Sequence, residues 1–107
     1  MVIKADQLVG VILAGGLSRR MGGGDKSMLL LGGQPILNYV VDLAQAQVDT
    51  VLLNVNGDAQ RFAAFELPVQ ADIVPDFAGP LAGVVSAMAW AKQHKPSATH
   101  IITIAAD

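Results

Sequence analysis

The sequence predicts an α/β fold built on a parallel sheet, and three observations predict it. Short apolar runs of strand length recur at Leu8–Ala14, Thr50–Asn54 and His100–Ala106. Between them lie segments with helical spacing of apolar residues, Pro35–Gln47 and Gly79–His94. The first apolar run empties into a loop, residues 15–27, that holds five glycines and three cations. Strands joined by helices imply parallel pairing through right-handed crossovers, with ligands at the carboxyl ends of the strands.

Each element has a local reason. Val9–Leu13 is continuous and aliphatic, as suits a buried strand. Pro35 fits the first turn of a helix whose Leu37, Val40, Val41, Ala44 and Val48 share one face. Thr50–Asn54 is β-branched and aliphatic. Asp58–Phe65 reads as a short helix with Asp58 as N-cap, and Asp72–Val74 as a brief third strand or extended segment. Gly79–His94 is the longest helix, with Pro80 as its first residue and Pro96 beyond its end. Its Leu81, Val84, Val85, Met88 and Ala91 are expected to form the core-facing side, with Trp90 half-buried in a packing role. His100–Ala106 is the fourth strand. His94, at a helix end, and His100, opening a strand, have structural readings.

The loop carries the chemistry. Glycine lets backbone N–H groups approach an anion because no Cβ blocks the way. Arg19, Arg20 and Lys26 are three of the seven Lys and Arg residues, crowded into eight positions. Neither common phosphate loop fits. A P-loop needs Gly directly before the Lys, where Asp25 stands; a dinucleotide fingerprint needs a third Gly where Ser27 stands.

The stretch LAGGLSRRMGGGDKSMLL, Leu13–Leu30, resembles the LAGGxSxRMGxxDKxLL signature of the molybdenum cofactor guanylyltransferases, within the wider nucleotidyltransferase superfamily. The AGG form and the Asp25-Lys26 pair resemble the guanylyltransferase branch. Relatives acting on sugars or isoprenoid precursors more often read AAGxGxRM with Pro before the Lys. A second segment, GPLAG at Gly79–Gly83, also resembles this family, at the expected distance from the loop. By itself it is a helix start, whose free N–H groups and partial positive charge can receive a ligand oxygen. The resemblance implies a Rossmann-like three-layer α/β/α fold with a mostly parallel sheet, of the nucleotide-diphospho-sugar transferase type.

The resemblance also implies roles. The backbone of Leu13, Ala14, Gly15 and Gly16 borders the base and ribose, with Gly79 at the second segment. Arg20 matches the fixed Arg of the motif, whereas Arg19 falls on a variable position. Arg20 and Lys26 hold the triphosphate and are the catalytic candidates; Asp25 either orients Lys26 or contacts magnesium-bound water. Asp72 aligns with a carboxylate near the guanine base. A carboxylate suits guanine because it accepts hydrogen bonds from the ring N–H and the amino group together, a donor pair adenine lacks. Asn54 matches an Asn near the nucleotide. Read from the residues, it either donates to a base carbonyl or caps a turn, and Asn56 in the NG pair is a turn signal. Asp107 resembles the superfamily's metal-binding Asp, and Mg²⁺ is the implied cofactor. A hard carboxylate oxygen suits that ion, which keeps several waters and binds substrate phosphates.

Bulk properties set bounds. A length of 107 residues allows one domain, and 52% hydrophobic residues with a mean hydropathy of +0.47 allow a real core. No apolar run approaches the ~20 residues of a membrane span, and no basic-then-apolar leader opens the chain. A net charge of −2 and a pI near 5.5 argue against nucleic acid bound on a broad basic surface. The absence of cysteine excludes disulfides, thiolate zinc sites and cysteine nucleophiles, and fits a cytoplasmic location. The last strand stops at Asp107 with no covering helix. Residues 1–107 are therefore expected to be the N-terminal, nucleotide-binding portion of a longer single-domain nucleotidyltransferase, without its acceptor-binding part. The implied reaction is GMP transfer from GTP to molybdopterin with release of pyrophosphate. GTP and molybdopterin are the partners, and molybdoenzyme-maturation proteins are further candidates. The alternatives are a cytidylyl- or adenylyltransferase for another pterin or sugar phosphate, and a non-catalytic nucleotide-binding module. A redox dinucleotide enzyme stands further off, since GxGxxG is incomplete.

Overall fold

The computed structural model describes residues 4–15, 28–56, 59–73 and 80–106. After a 3-10 turn at Ala5–Gln7 come β1 (Leu8–Gly15), the two-residue strands β2 (Leu30–Leu31) and β3 (Gln34–Pro35), and α1 (Ile36–Gln45). There follow β4 (Thr50–Val55), a 3-10 helix at Ala59–Phe65, β5 (Val69–Gln70), α2 (Pro80–His94) and β6 (His100–Ala105). The main sheet runs β5-β4-β1-β6 and is parallel throughout. β2 and β3 form a separate antiparallel pair.

The predicted three-layer architecture is observed, and its origin is the period of two along the strands. On one face Ile12 and Ala14 of β1, Val51, Leu53 and Val55 of β4, and Ala106 pack with Leu37, Val41 and Ala44 of α1, together with Val48 and Phe62. On the other face Val9, Val11 and Leu52 pack with Ala87 and Ala91 of α2, with Trp90 half-buried beside them. β1 is central and buried on both sides, which explains its unbroken apolar sequence.

Strand order sets the place of the site. The chain passes from β1 to β4 on one side, and α2 then carries it back across to β6 on the other side of β1. The direction of winding reverses between β1 and β6, and a crevice opens at the carboxyl ends of strands at such a point. Leu13 and Ala105 are paired there, and the Ala106 N–H donates to the Leu13 carbonyl at 3.2 Å. Beside them the β1–β4 register shifts between Leu13 and Gly15, a bulge at the end of β1.

Three local expectations are corrected. The third strand is Val69–Gln70, paired with Leu53 and Asn54, and Asp72 lies just beyond it. Pairing with the buried end of β4 sets this strand, and the ladder ends before the acidic residue. Pro35 precedes α1: its φ of −55° and ψ of 142° are extended, and it pairs with Leu30 in the small ladder. The expected short helix is present as the 3-10 helix Ala59–Phe65, while Asp58 lies outside the described residues.

The largest correction concerns α2. Leu81, Val85 and Met88 are exposed, at 57%, 40% and 57%, and Val84 is half-buried; of the expected face only Ala91 is buried. The inward face is Ala82, Gly83, Ser86, Ala87 and Ala91. Small side chains let the helix lie close on the sheet, so size and not hydrophobicity decided which side faces in. Val84 and Met88 instead border an open groove of about 640 Å³ between α2 and the outer strand β6.

Candidate functional site

The carboxyl ends of β1, β4 and β5 bring Leu13, Asn54 and Asp72 together with the first turns of α2. Leu13 and Asn54 both point to the α2 side of the sheet, where each lies against Gly83. A Cβ on Gly83 would lie against Asn54 Oδ1, 2.8 Å from Leu13 Cδ2 and 3.1 Å from Asn54 Cγ. Asn54 is only 5% exposed, a polar side chain enclosed between sheet and helix.

Its enclosure is matched by hydrogen bonds. Asn54 Nδ2 donates to the Gln70 carbonyl at 3.0 Å and to Asp72 Oδ1 at 3.0 Å. Both partners accept only, which fixes the orientation of the amide chemically. Both amide hydrogens are therefore engaged within the protein. Asn56, just past the end of β4, holds Asp72 at two points: its Nδ2 donates to Asp72 Oδ2 at 3.0 Å, and its Oδ1 accepts the Asp72 backbone N–H at 2.9 Å. The next peptide is anchored as well. The Ile73 N–H donates to Ser86 Oγ at 2.8 Å, and the Ser86 hydroxyl donates to the Ala82 carbonyl at 2.8 Å.

Asp72 is thus fixed through both flanking peptides and both carboxylate oxygens. Each carboxylate oxygen has about two acceptor directions, and one amide hydrogen occupies one of them. Each oxygen thus keeps acceptor capacity beyond the bond it receives among the described residues. Asp72 is half-buried, so the carboxylate is reachable. A solvated surface carboxylate needs no such fixture, because water satisfies it in any rotamer.

The other expected residues divide in two. Ala14 is 2% exposed with its methyl group in the core, so its backbone is what borders the crevice. Gly15 pairs with Val55 at the bulge. Gly16, Arg20, Lys26, Gly79 and Asp107 lie outside the described residues, as do Arg19 and Asp25. Asp107 is the residue after Ala106, which is itself bonded to Leu13. Among the described residues no group of three or more His, Cys, Asp and Glu is placed to hold a metal. Among them also, no helix is long and apolar enough to cross a membrane.

Residue patterns did not bring out Ser86, or Asn56 as a clamp. One signal was present: Ser86 is a hydroxyl inside an otherwise apolar helix segment, and it is fully buried. The histidines do lie where expected. His94 closes α2, stacking on Trp90 with ring centroids 4.8 Å apart, and His100 opens β6.

A parallel α/β sheet with helices on both faces and a polar fixture at its carboxyl edge places the chain in the Rossmann-like three-layer class. Residues 10–107 match the family model described as MobA-like NTP transferase domain. The chain belongs to that family. It is similar to proteins named molybdenum cofactor guanylyltransferase in several bacteria. With that of Nitrobacter hamburgensis it is 50% identical over 107 residues, all of this chain and 51% of the relative. With that of a Bradyrhizobium species it is 49% identical over 98 residues, 92% of this chain and 46% of the relative. With that of Mesorhizobium japonicum it is 46% identical over 100 residues, 94% of this chain and 48% of the relative. The chain spans about half the length of these curated relatives.

Proposed function

We propose that this chain is the nucleotide-binding part of an enzyme that transfers GMP from GTP to the phosphate of molybdopterin, releasing pyrophosphate. The observation that carries the reading is the doubly held Asp72 carboxylate at the carboxyl edge of the sheet. A carboxylate held in one orientation suits guanine, whose adjacent ring N–H and amino group it can accept together. The names of the relatives support the same nucleotide and the same acceptor.

In this reading the molybdopterin phosphate oxygen attacks the α-phosphorus in line, and the bond from that phosphorus to the β-phosphate bridging oxygen breaks. The acceptor is already an anion, so no strong base is required. The protein's part is positioning and charge neutralisation. The backbone of Leu13–Gly16 borders the base and ribose, Asp72 reads the base, and Asn54 holds Asp72 in place. Arg20 and Lys26 hold the triphosphate and stabilise the departing pyrophosphate, with Asp25 beside Lys26. Gly79 directly precedes α2 in the sequence, and a helix start offers free N–H groups that suit an anion. Asp107 is the proposed Mg²⁺ ligand. Mg²⁺, when bound, neutralises phosphate charge, and one protein carboxylate suits an ion that keeps most of its waters. A cytoplasmic location is part of this proposal. Molybdoenzyme-maturation proteins are proposed to receive the product.

The test is reconstitution of the full-length protein with molybdopterin, Mg²⁺ and each nucleoside triphosphate in turn. Pyrophosphate release with formation of the guanine dinucleotide is expected from GTP. Turnover with CTP or ATP in its place would assign the protein to a different transferase. GTP binding without pyrophosphate release would make it a binding module.

A further inference from the structure

We propose that Asn56 and Ser86 are positioning residues that set nucleobase specificity by holding Asp72 in one orientation. The inference rests on the reading of Asp72 as the guanine-reading group. Its own basis is the set of bonds around that residue.

Two peptide planes flank the Asp72 Cα. The N–H of one is held by Asn56 Oδ1 at 2.9 Å, and the N–H of the other by Ser86 Oγ at 2.8 Å. With both planes fixed, the direction of the Asp72 Cα–Cβ bond is fixed. The Asn56 amide then reaches Oδ2 at 3.0 Å and, with Asn54 on Oδ1, sets the rotation of the carboxylate. The anchors come from different elements: Asn56 from the end of β4, and Ser86 from α2 on the facing side. Ser86 is fully buried and its hydroxyl is in use both ways, accepting from Ile73 and donating to Ala82. Satisfying one loop N–H does not by itself require a residue from α2, since a loop N–H can be left to water. The bond ties the base-reading segment to the helix whose start belongs to the same crevice.

A bidentate contact depends on aim more than on charge. A carboxylate free to rotate still attracts a donor, but it no longer distinguishes two adjacent donors from one. Loss of either anchor should therefore reduce discrimination between guanine and a base lacking the 2-amino group. Inosine triphosphate is that probe.

The experiment is equilibrium binding of GTP and ITP, with Mg²⁺, to the full-length protein and to Asp72→Ala, Asn56→Ala and Ser86→Ala. The measure is the ratio of the two dissociation constants. Asp72→Ala should bring the ratio close to one. Asn56→Ala and Ser86→Ala should each lower it about tenfold, the scale of one hydrogen bond to a charged group. In the Asn56→Ala/Asp72→Ala double variant the ratio should equal that of Asp72→Ala alone, because Asn56 acts through Asp72. A purely structural role would weaken GTP and ITP equally and leave the ratio unchanged. An unchanged ratio in Asn56→Ala and Ser86→Ala, beside a collapsed ratio in Asp72→Ala, overturns the positioning roles and leaves the Asp72 reading standing. An unchanged ratio in Asp72→Ala overturns the guanine reading and the positioning roles with it. Asn56 is half-buried, so its variant tests the idea even where the buried Ser86→Ala lowers stability.

Discussion

Gly83→Ala sets helix propensity against packing, and the two have opposite signs. In an open helix interior the change stabilises by about 1 kcal/mol, since alanine loses less backbone freedom. At Gly83 the added methyl group lies against Asn54 Oδ1 and 2.8 Å from Leu13 Cδ2. Neither neighbour retreats easily. Asn54 is 5% exposed and holds two hydrogen bonds, one of them to the Asp72 carboxylate. Overpacking of this kind costs about 1–3 kcal/mol, and loss of the bond to a charged group costs about 1.5–3 kcal/mol more where Asn54 yields. The net expectation is a destabilisation of about 2 kcal/mol, with weaker GTP binding. Urea unfolding of the full-length protein, followed by circular dichroism, gives the first quantity, and a GTP titration the second. In an Asn54→Ala background the cost of Gly83→Ala should shrink, because the amide no longer stands in the way. A gain of about 1 kcal/mol with unchanged GTP affinity, the result of propensity acting alone, would refute the close approach of α2 to β4.

Other expectations follow from the same packing and from the loop. A Cβ on Gly10 would lie 2.9 Å from Val48 Cγ2, so Gly10→Ala should cost about 1–3 kcal/mol in urea unfolding, and adding Val48→Ala should recover part of it. Phe62 is 1% exposed in the core cluster that α1 shares, and Phe62→Ala should cost about 3–5 kcal/mol; a loss below about 1 kcal/mol would place that ring outside the core. Lys26→Ala should lower kcat about a hundredfold in the full-length protein while its circular dichroism spectrum stays unchanged, and near-native turnover would remove Lys26 from the catalytic set.

The sheet was legible because β1 carries its role openly. A strand buried on both faces cannot alternate, so Val9–Leu13 reads as core without any partner in view. α1 was legible for a different reason: Leu37, Val41 and Ala44 recur at helical spacing on its buried face, and Val48 continues that face just past its end. α2 misled because hydrophobicity ranks Leu, Val and Met above Ala, Gly and Ser. The helix lies so close to Leu13 and Asn54 that only the smaller set fits beneath it, and that distance is a tertiary fact absent from the local pattern. The third strand misled for a related reason. Two residues, Val69 and Gln70, join the sheet through backbone pairing to β4, and their side chains carry little periodic signal. The small ladder of Leu30–Leu31 with Gln34–Pro35 turns at Gly32 and Gly33, both at positive φ, yet its four paired residues are too few to mark a period. At the site, the types Asn54 and Asp72 were visible, but their contact across 18 positions of sequence was not. Asn56 read as a turn residue because NG is a turn signal wherever it occurs, and its bonds to Asp72 exist only once β4 and β5 pair.

The central claim is that the carboxyl edge of this sheet reads guanine through Asp72. The direct measurement is a Mg²⁺-dependent titration of GTP, ATP and CTP against the full-length protein, repeated with Asp72→Ala. GTP is expected to bind at least tenfold more tightly than ATP or CTP, and the advantage to vanish in the variant. Equal affinities for the three nucleotides in the unmodified protein, or a guanine preference that survives Asp72→Ala, would contradict it.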